Sequence, residues 1–154
     1  MAWTPPTTIA SVANDGYGAT FYIGTVASPG SYNQILEVRS FKPDFGTIPE
    51  IMTTTLLSPN ATEEFIPGII KPGKVEVTAN FIGDTTQLSI TPLMQGQVIF
   101  NWKIIAPVQR KSKTYTATGQ GFVTQYSPGP FENNKAIDLA FGFQITGVYT
   151  EGVA

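Results

Sequence analysis

A chain of 154 residues with 42% hydrophobic side chains can bury a core, which excludes a wholly disordered segment. Only 13% of residues are charged, against about 25% in an ordinary soluble domain. The net charge of −2 gives no electrostatic basis for general nucleic-acid binding, and the absence of Cys and His excludes disulfides, Cys/His zinc sites, thiol nucleophiles and Ser-His-Asp triads.

Met1 to Asp15 is rich in Thr, Pro and Ala and has no period; it reads as an extended arm, ordered only where something lies against it. It lacks a basic start and a long apolar run, so no signal peptide is expected, and no stretch reads as a membrane span. Ala19 to Val26 is β-branched and aromatic, a first strand. After the Ser28-Pro29-Gly30 turn, Gln34 to Phe41 alternates, with Leu36 and Val38 opposite Glu37 and Arg39. Residues 42–68 form the longest irregular region, a connection of functional or mobile length, punctuated by Pro43, Pro49, Pro59 and Pro67. Within it, Ile51 to Leu57 reads as a strand, and Ser58-Pro59 as the start of a helical turn carrying Glu63 and Glu64. Pro67-Gly68 and Pro72-Gly73 then turn the backbone, because Pro presets φ and Gly accepts positive φ. The strand that follows buries Val75, Val77, Ala79 and Phe81 and wets Lys74, Glu76, Thr78 and Asn80.

Asp84-Thr85-Thr86-Gln87 has the form of a capping box and opens a helix from Thr85 to about Gln95, closed by Gly96. Pro92 costs about 3 kcal/mol in a helix interior, so the helix stops near Ile90 or kinks. Leu88, Leu93 and Met94 are its expected buried side. Val98 to Ala106 alternates and ends at Pro107; Arg110, Lys111 and Lys113 then occupy a solvated hairpin turn. Lys113 to Tyr126 is a strand with a bulge or bend at Gly119 and Gly121. After the Ser127-Pro128-Gly129-Pro130 turn, Ala136 to Tyr149 is the longest alternating run. The expected fold is mainly β: a single-domain antiparallel sandwich or barrel of seven or eight strands with one flanking helix.

Little here is suited to catalysis. Glu63 and Glu64 are adjacent, and neighbours on a helical turn point apart, whereas a glycosidase needs carboxylates across a cleft. Asp15-Gly16 lacks the spacing of a calcium loop, and Gly119-Gln120-Gly121 is too short for a phosphate loop. Trp102 and Tyr115 fall on the apolar faces of their strands, as core residues do. No enzyme activity, metal or cofactor is expected.

The order of Thr53-Thr54-Thr55, Glu64-Phe65-Ile66-Pro67-Gly68 and Pro72-Gly73-Lys74-Val75-Glu76-Val77, followed by an alternating strand, carries a resemblance. Over roughly Ser40 to Phe81 it resembles the core of the tail-tube (major tail) proteins of long-tailed bacteriophages, the lambda-like tube family. The resemblance implies hexameric rings stacked into a hollow tail tube in the virion, assembled in the host cytoplasm, through which double-stranded DNA passes without specific binding. It implies this chain itself as the main partner, with tape-measure and tail-end proteins beside it. The loop that reaches the next ring then falls on Pro49, Leu56, Leu57, Ser58, Glu63, Glu64 and Phe65. Two strands supply candidates for an acidic to neutral channel lining, Glu76, Thr78 and Asn80 on one and Thr116, Thr118 and Gln120 on the other, and the sequence does not choose between them. The tube proteins of contractile tails and type VI secretion share this architecture and form one alternative. A secreted carbohydrate-binding or adhesin-like module is the other, and it requires an exposed aromatic strip.

Overall fold

The structure, a computed structural model, describes residues 16–109 and 111–154. The expected arm Met1–Asp15 and Arg110 of the basic turn lie outside the described residues. Nine strands and two short helices follow in chain order: β1 (Thr20–Thr25), β2 (Asn33–Ile35), β3 (Val38–Pro43), β4 (Glu50–Met52), β5 (Phe65–Pro67), β6 (Lys74–Asn80), α1 (Thr85–Leu88), α2 (Ile90–Gln95), β7 (Phe100–Val108), β8 (Lys113–Pro128) and β9 (Asp138–Val153). Seven of them form one antiparallel sheet in the order β2-β1-β7-β8-β9-β6-β3, while β4 and β5 pair only with each other.

The outermost strands of the sheet, β2 and β3, are joined by Leu36 and Glu37 alone. Three peptide units span at most about 11 Å, so the two edges cannot lie apart and the sheet curls into a near-closed barrel. Phe21 of β1 accordingly packs on Phe41 of β3, with ring centroids 6.3 Å apart. The expected single strand from Gln34 to Phe41 is therefore two strands. Glu37 turns between them with φ 59°, its carbonyl accepting from Asn80 N at 2.9 Å and its carboxylate from Asn80 Nδ2 at 3.2 Å. Closing the barrel outweighs the local alternation.

Inside, the alternation holds. Val75, Val77 and Ala79 of β6, Phe100, Trp102 and Ile104 of β7, and Leu139, Phe141, Phe143 and Ile145 of β9 are all buried. Phe143 lies at the centre, 5.2 Å from the Phe100 ring, 5.7 Å from Phe21 and 5.9 Å from Trp102. β7 starts later than expected, at Phe100, and leaves Val98 and Ile99 exposed. It also runs through Pro107, which lies past the last β1 pair at Ile105, where no neighbouring strand needs the missing N–H.

The bulge expected at Gly119 forms. Thr118 pairs with Thr150 and Gln120 with Thr146, so one residue of β8 faces three of β9. Gly119 fits because the Trp102 ring lies over it; a Cβ there would come within 2.7 Å of the indole.

The helix is broken at Ser89, ahead of Pro92. Asp84 caps it by accepting from Gln87 N at 3.1 Å. Gln87, fully buried, reaches back to Ile82 N and Gly83 N through Oε1 and donates through Nε2 to Leu36 O and Asn80 O. It thereby ties the β2–β3 link to the end of β6. Gln87 and Ile90, three residues apart, set the inward face of the helix. Leu88, expected inside, is turned out to 49% exposure, while Leu93 and Met94 pack against the core as expected.

Candidate assembly surfaces

Between β3 and β6 the chain leaves the barrel. Residues 48–70 form an arm in which β4 and β5 pair antiparallel, from Glu50↔Pro67 to Met52↔Phe65. Ile48, Ile51, Met52, Leu56, Leu57, Phe65, Ile66, Ile69 and Ile70 are all exposed, and no residue of the arm is buried. Leu56 and Leu57 at its tip are as open as side chains in an extended peptide, at 105% and 92%. Exposed apolar side chains concentrated on one projecting hairpin are the mark of an interaction site.

The tip is built inside out. Thr53 N donates to Glu64 O, Glu64 N to Thr54 Oγ1, Thr55 N to Ser58 Oγ, and Ser58 Oγ to a Glu64 carboxylate oxygen, each at 2.8–2.9 Å. Polar groups thus occupy the interior of the turn and the leucines face water. This network also explains two departures from expectation. The strand anticipated from Ile51 to Leu57 ends at Met52, and the turn after Ser58 is only one 3-10 turn, Pro59–Ala61. Asn60 and Ala61 take φ of 58° and 51°, which stops helical continuation before Glu63 and Glu64, and the Ser58 hydroxyl is occupied elsewhere rather than capping.

Of the expected ring-contact residues, Leu56, Leu57, Glu63, Glu64 and Phe65 are exposed on the arm. Pro49 and Ser58 are half-buried within it, Pro49 O accepting from Gly68 N at 2.8 Å. The sequence reading missed the rest of the apolar surface: Ile48, Ile51 and Met52 before the tip, Ile66, Ile69 and Ile70 after it. Apolar residues flanked by Pro-Gly turns, with no alternating polar partner, were the available signal. The arm is also offset from the expected 42–68, since Lys42 and Pro43 belong to β3.

The second surface is the sheet face turned away from the core. Directly opposed residues in an antiparallel pair share a face. Through the pairs Lys74↔Gln144, Thr78↔Ala140, Gln144↔Phe122 and Gln120↔Thr146, Glu76, Thr78, Asn80, Thr116, Thr118 and Gln120 all lie on it. The structure brings the two candidate sets together. Thr118 and Thr150 share a hydrogen bond at 2.7 Å, Asn101 lies opposite Gln120 and Lys103 opposite Thr118, so the β7–β9 part is a field of hydroxyls and amides with a lysine among them. Asn80 is engaged with Glu37 at the barrel's closure. Apart from the Arg39–Asp138 ion pair, this face carries Lys42, Lys74 and Lys103 against Glu76 and the Glu37 carboxylate held by Asn80.

A third surface is backbone. β6 pairs with β9 only as far as Gln144, so among the described residues Thr146 to Val153 carry β8 on one side and no strand on the other. Among the described residues the outer side of β3 is likewise unpaired. Such edges invite continuation by another chain.

The aromatic residues considered for stacking on a sugar are used internally. Trp102 is buried and donates from Nε1 to Gln120 O at 3.1 Å. Tyr115, half-buried, donates to a Glu151 carboxylate oxygen at 2.7 Å; burial first, then this carboxylate, pushes its phenol well above the ordinary range. Among the described residues no group of three or more acidic side chains is placed to hold a metal ion.

Neither a family model nor a curated sequence matches the chain. Solved structures do share its fold. A chain from the tail of an empty gene transfer agent particle, determined with C6 symmetry, superposes with a TM-score of 0.71 at 13% identity, over 90% of this chain and 98% of that one. A chain of the tube-terminating cap of the anti-feeding prophage superposes at 0.69 with 14% identity over 100% of both. The SPP1 tail tube gives 0.58 at 16% identity, over 86% of this chain and 75% of that one. The fold is that of tail-tube and tube-terminating proteins.

Proposed function

We propose that this chain is a structural subunit that assembles with copies of itself into a tail tube. Copies join side by side into hexameric rings, and rings stack into a hollow conduit for DNA ejection from a virion. The arm carries this reading: a well-packed barrel presents nine exposed apolar side chains on a projecting hairpin whose tip is held by hydrogen bonds. A closed ring needs one surface to meet a different surface on the next copy, and the arm and the open edges of β9 and β3 supply such unlike surfaces. Edge pairing between copies would satisfy the free backbone groups and extend the barrels into one tube wall.

In this assembly Pro49, Leu56, Leu57, Ser58, Glu63, Glu64 and Phe65 make the contact to the next ring. Thr116, Thr118 and Gln120 bring hydroxyls and amides to the channel lining, groups that carry no fixed counter-charge for phosphates, with Lys103 beside them opposite Thr118. Glu76, Thr78 and Asn80, the other lining candidates, lie nearer Lys42, Lys74 and the barrel closure. Tape-measure and tail-end proteins are the further partners, and assembly in the host cytoplasm precedes incorporation. The Pro67-Gly68 and Pro72-Gly73 pattern favours a long-tailed, lambda-like tube over a contractile one.

A second reading has a specific observation behind it. The match to the tube-terminating cap spans both chains completely, which fits a terminator that forms one ring and stops growth. Electron microscopy of the purified protein at rising concentration separates the two. Stacked tubes with a central hole are expected for the tube subunit, and single rings that never stack for the terminator. A protein that stays monomeric at all concentrations and when added to tube ends refutes both.

A further inference from the structure

The arm leaves the barrel through a narrow root. Thr47 and Lys71 exchange backbone hydrogen bonds in both directions, at 3.0 and 2.8 Å, and Asp44 N donates to Lys74 O at 2.9 Å. Two glycines let these segments touch: a Cβ on Gly46 would lie 2.2 Å from Lys71 O, and one on Gly73 2.1 Å from Asp44 O. Phe45, between them, is stacked on Tyr149 of β9 with centroids 4.3 Å apart. Beyond the root, every residue from 48 to 70 is exposed or half-buried, and among the described residues its strands pair only with each other. Its direction is therefore decided at the root.

One side chain outside the root is committed to it. Gln144 lies on the outer face of β9, at the last position paired with β6. Its Nε2 donates to Gly73 O at 2.8 Å and Pro72 O at 2.9 Å, with Ile145 O at 3.2 Å, while Ile145 N donates to Gly73 O at 3.0 Å. The returning strand of the arm is thus stitched to β9 where β9 loses its other neighbour. We infer that Gln144 is a positioning residue: it locks the arm's exit angle to the barrel, making the hairpin a rigid lever. Resting on the tube reading, this makes Gln144 the residue that converts the arm's direction into the rotation between successive rings.

The chain has no cysteine, so spin labels can be placed at will. Labels at Leu57→Cys on the tip and Val148→Cys on β9, both almost fully exposed, report the arm angle by electron–electron resonance in dilute monomer. The native chain is expected to give one narrow distance. Gln144→Glu keeps the shape but sets a carboxylate against three carbonyls, and Lys74 on the neighbouring strand offers it another partner. The narrow distance should be lost with little change in the thermal midpoint. Gln144→Ala, which leaves the carbonyls to water, should broaden it too. A broad native distribution overturns the inference, as does a narrow one in both variants. If neither variant folds, Gln144 supports the barrel rather than the arm, and the inference also fails. Tubes formed by either variant should lose the regular twist of native tubes. A native protein that never assembles refutes the tube reading and leaves the distance result standing.

Discussion

The barrel and the arm draw on the same apolar residues and put them to opposite use. In the barrel, Phe, Ile, Val and Trp at alternate positions of β6, β7 and β9 are sealed from water, and the polar residues between them face out. In the arm, Ile, Leu and Phe stand in water, and the inward positions of the tip belong to Thr55, Ser58 and Glu64. Hydrophobicity alone therefore does not assign a residue to a core. Alternation against a polar partner does, and where it is missing an apolar run becomes a surface. The barrel buries its apolar residues within itself; the arm presents its own outward.

The contrast is broken most directly from the barrel side. Trp102→Ala empties a fully buried indole site between Phe45 and Phe143 and frees Gln120 O, and should cost about 3–5 kcal/mol in urea unfolding. A loss below about 1 kcal/mol, the size of an ordinary point mutation, would show that the barrel is not the packed unit described. Gln87→Leu comes next. It leaves Ile82 N, Gly83 N, Leu36 O and Asn80 O without their partner in a dry site, for about 1–3 kcal/mol. Amide exchange at Ile82 and Gly83 should quicken as well, and unchanged exchange there would remove Gln87 from the closure.

How much of this was legible follows from the same contrast. Lys74 to Asn80, the inner positions of β7 and the run from Leu139 to Ile145 could be read because each pairs one wet face with one dry face. The break at Leu36–Glu37 could not, since alternation continues across it and only the meeting of two sheet edges demands the turn. Gln87 was visible as a cap partner but not as a buried one, because a polar side chain satisfied by backbone atoms leaves no hydropathic trace. β9 runs on past Tyr149 to Val153 through Gly152, with no apolar alternation to announce it. In the arm, the Pro-Gly turns and the tip leucines were legible, and the flanking isoleucines carried a signal in their missing alternation, whereas the role of Gln144 depends on what lies across the fold.

Tyr115 lies between the two regimes, half-buried where β8 and β9 pass the edge of the barrel. Its phenol is raised above the ordinary value of 10.0, so above that pH the folded chain keeps a proton that the unfolded chain has lost. Stability from this group is then complete below about pH 10 and declines as pH rises beyond it. In a pH series of unfolding midpoints, Tyr115→Phe should flatten the alkaline limb of the curve and leave the neutral region little changed. Parallel alkaline limbs would mean that neither burial nor the Glu151 contact holds the proton.

The smallest effect on stability is expected where the largest effect on assembly lies. Leu56→Asp and Leu57→Asp remove no buried contact, so the folding free energy of the monomer should stay within about 0.5 kcal/mol of native. The same changes place a carboxylate on the most exposed apolar point of the chain, where desolvation against a partner would be costly, and ring stacking should be lost. Electron microscopy and unfolding of the same preparations give both numbers. A destabilised monomer would mean the tip packs on the barrel after all, and a native-like tube would move the ring contact away from the leucines. Stability without assembly would separate the two regions: one holds the fold, and the other carries a surface whose partner is another copy of the chain.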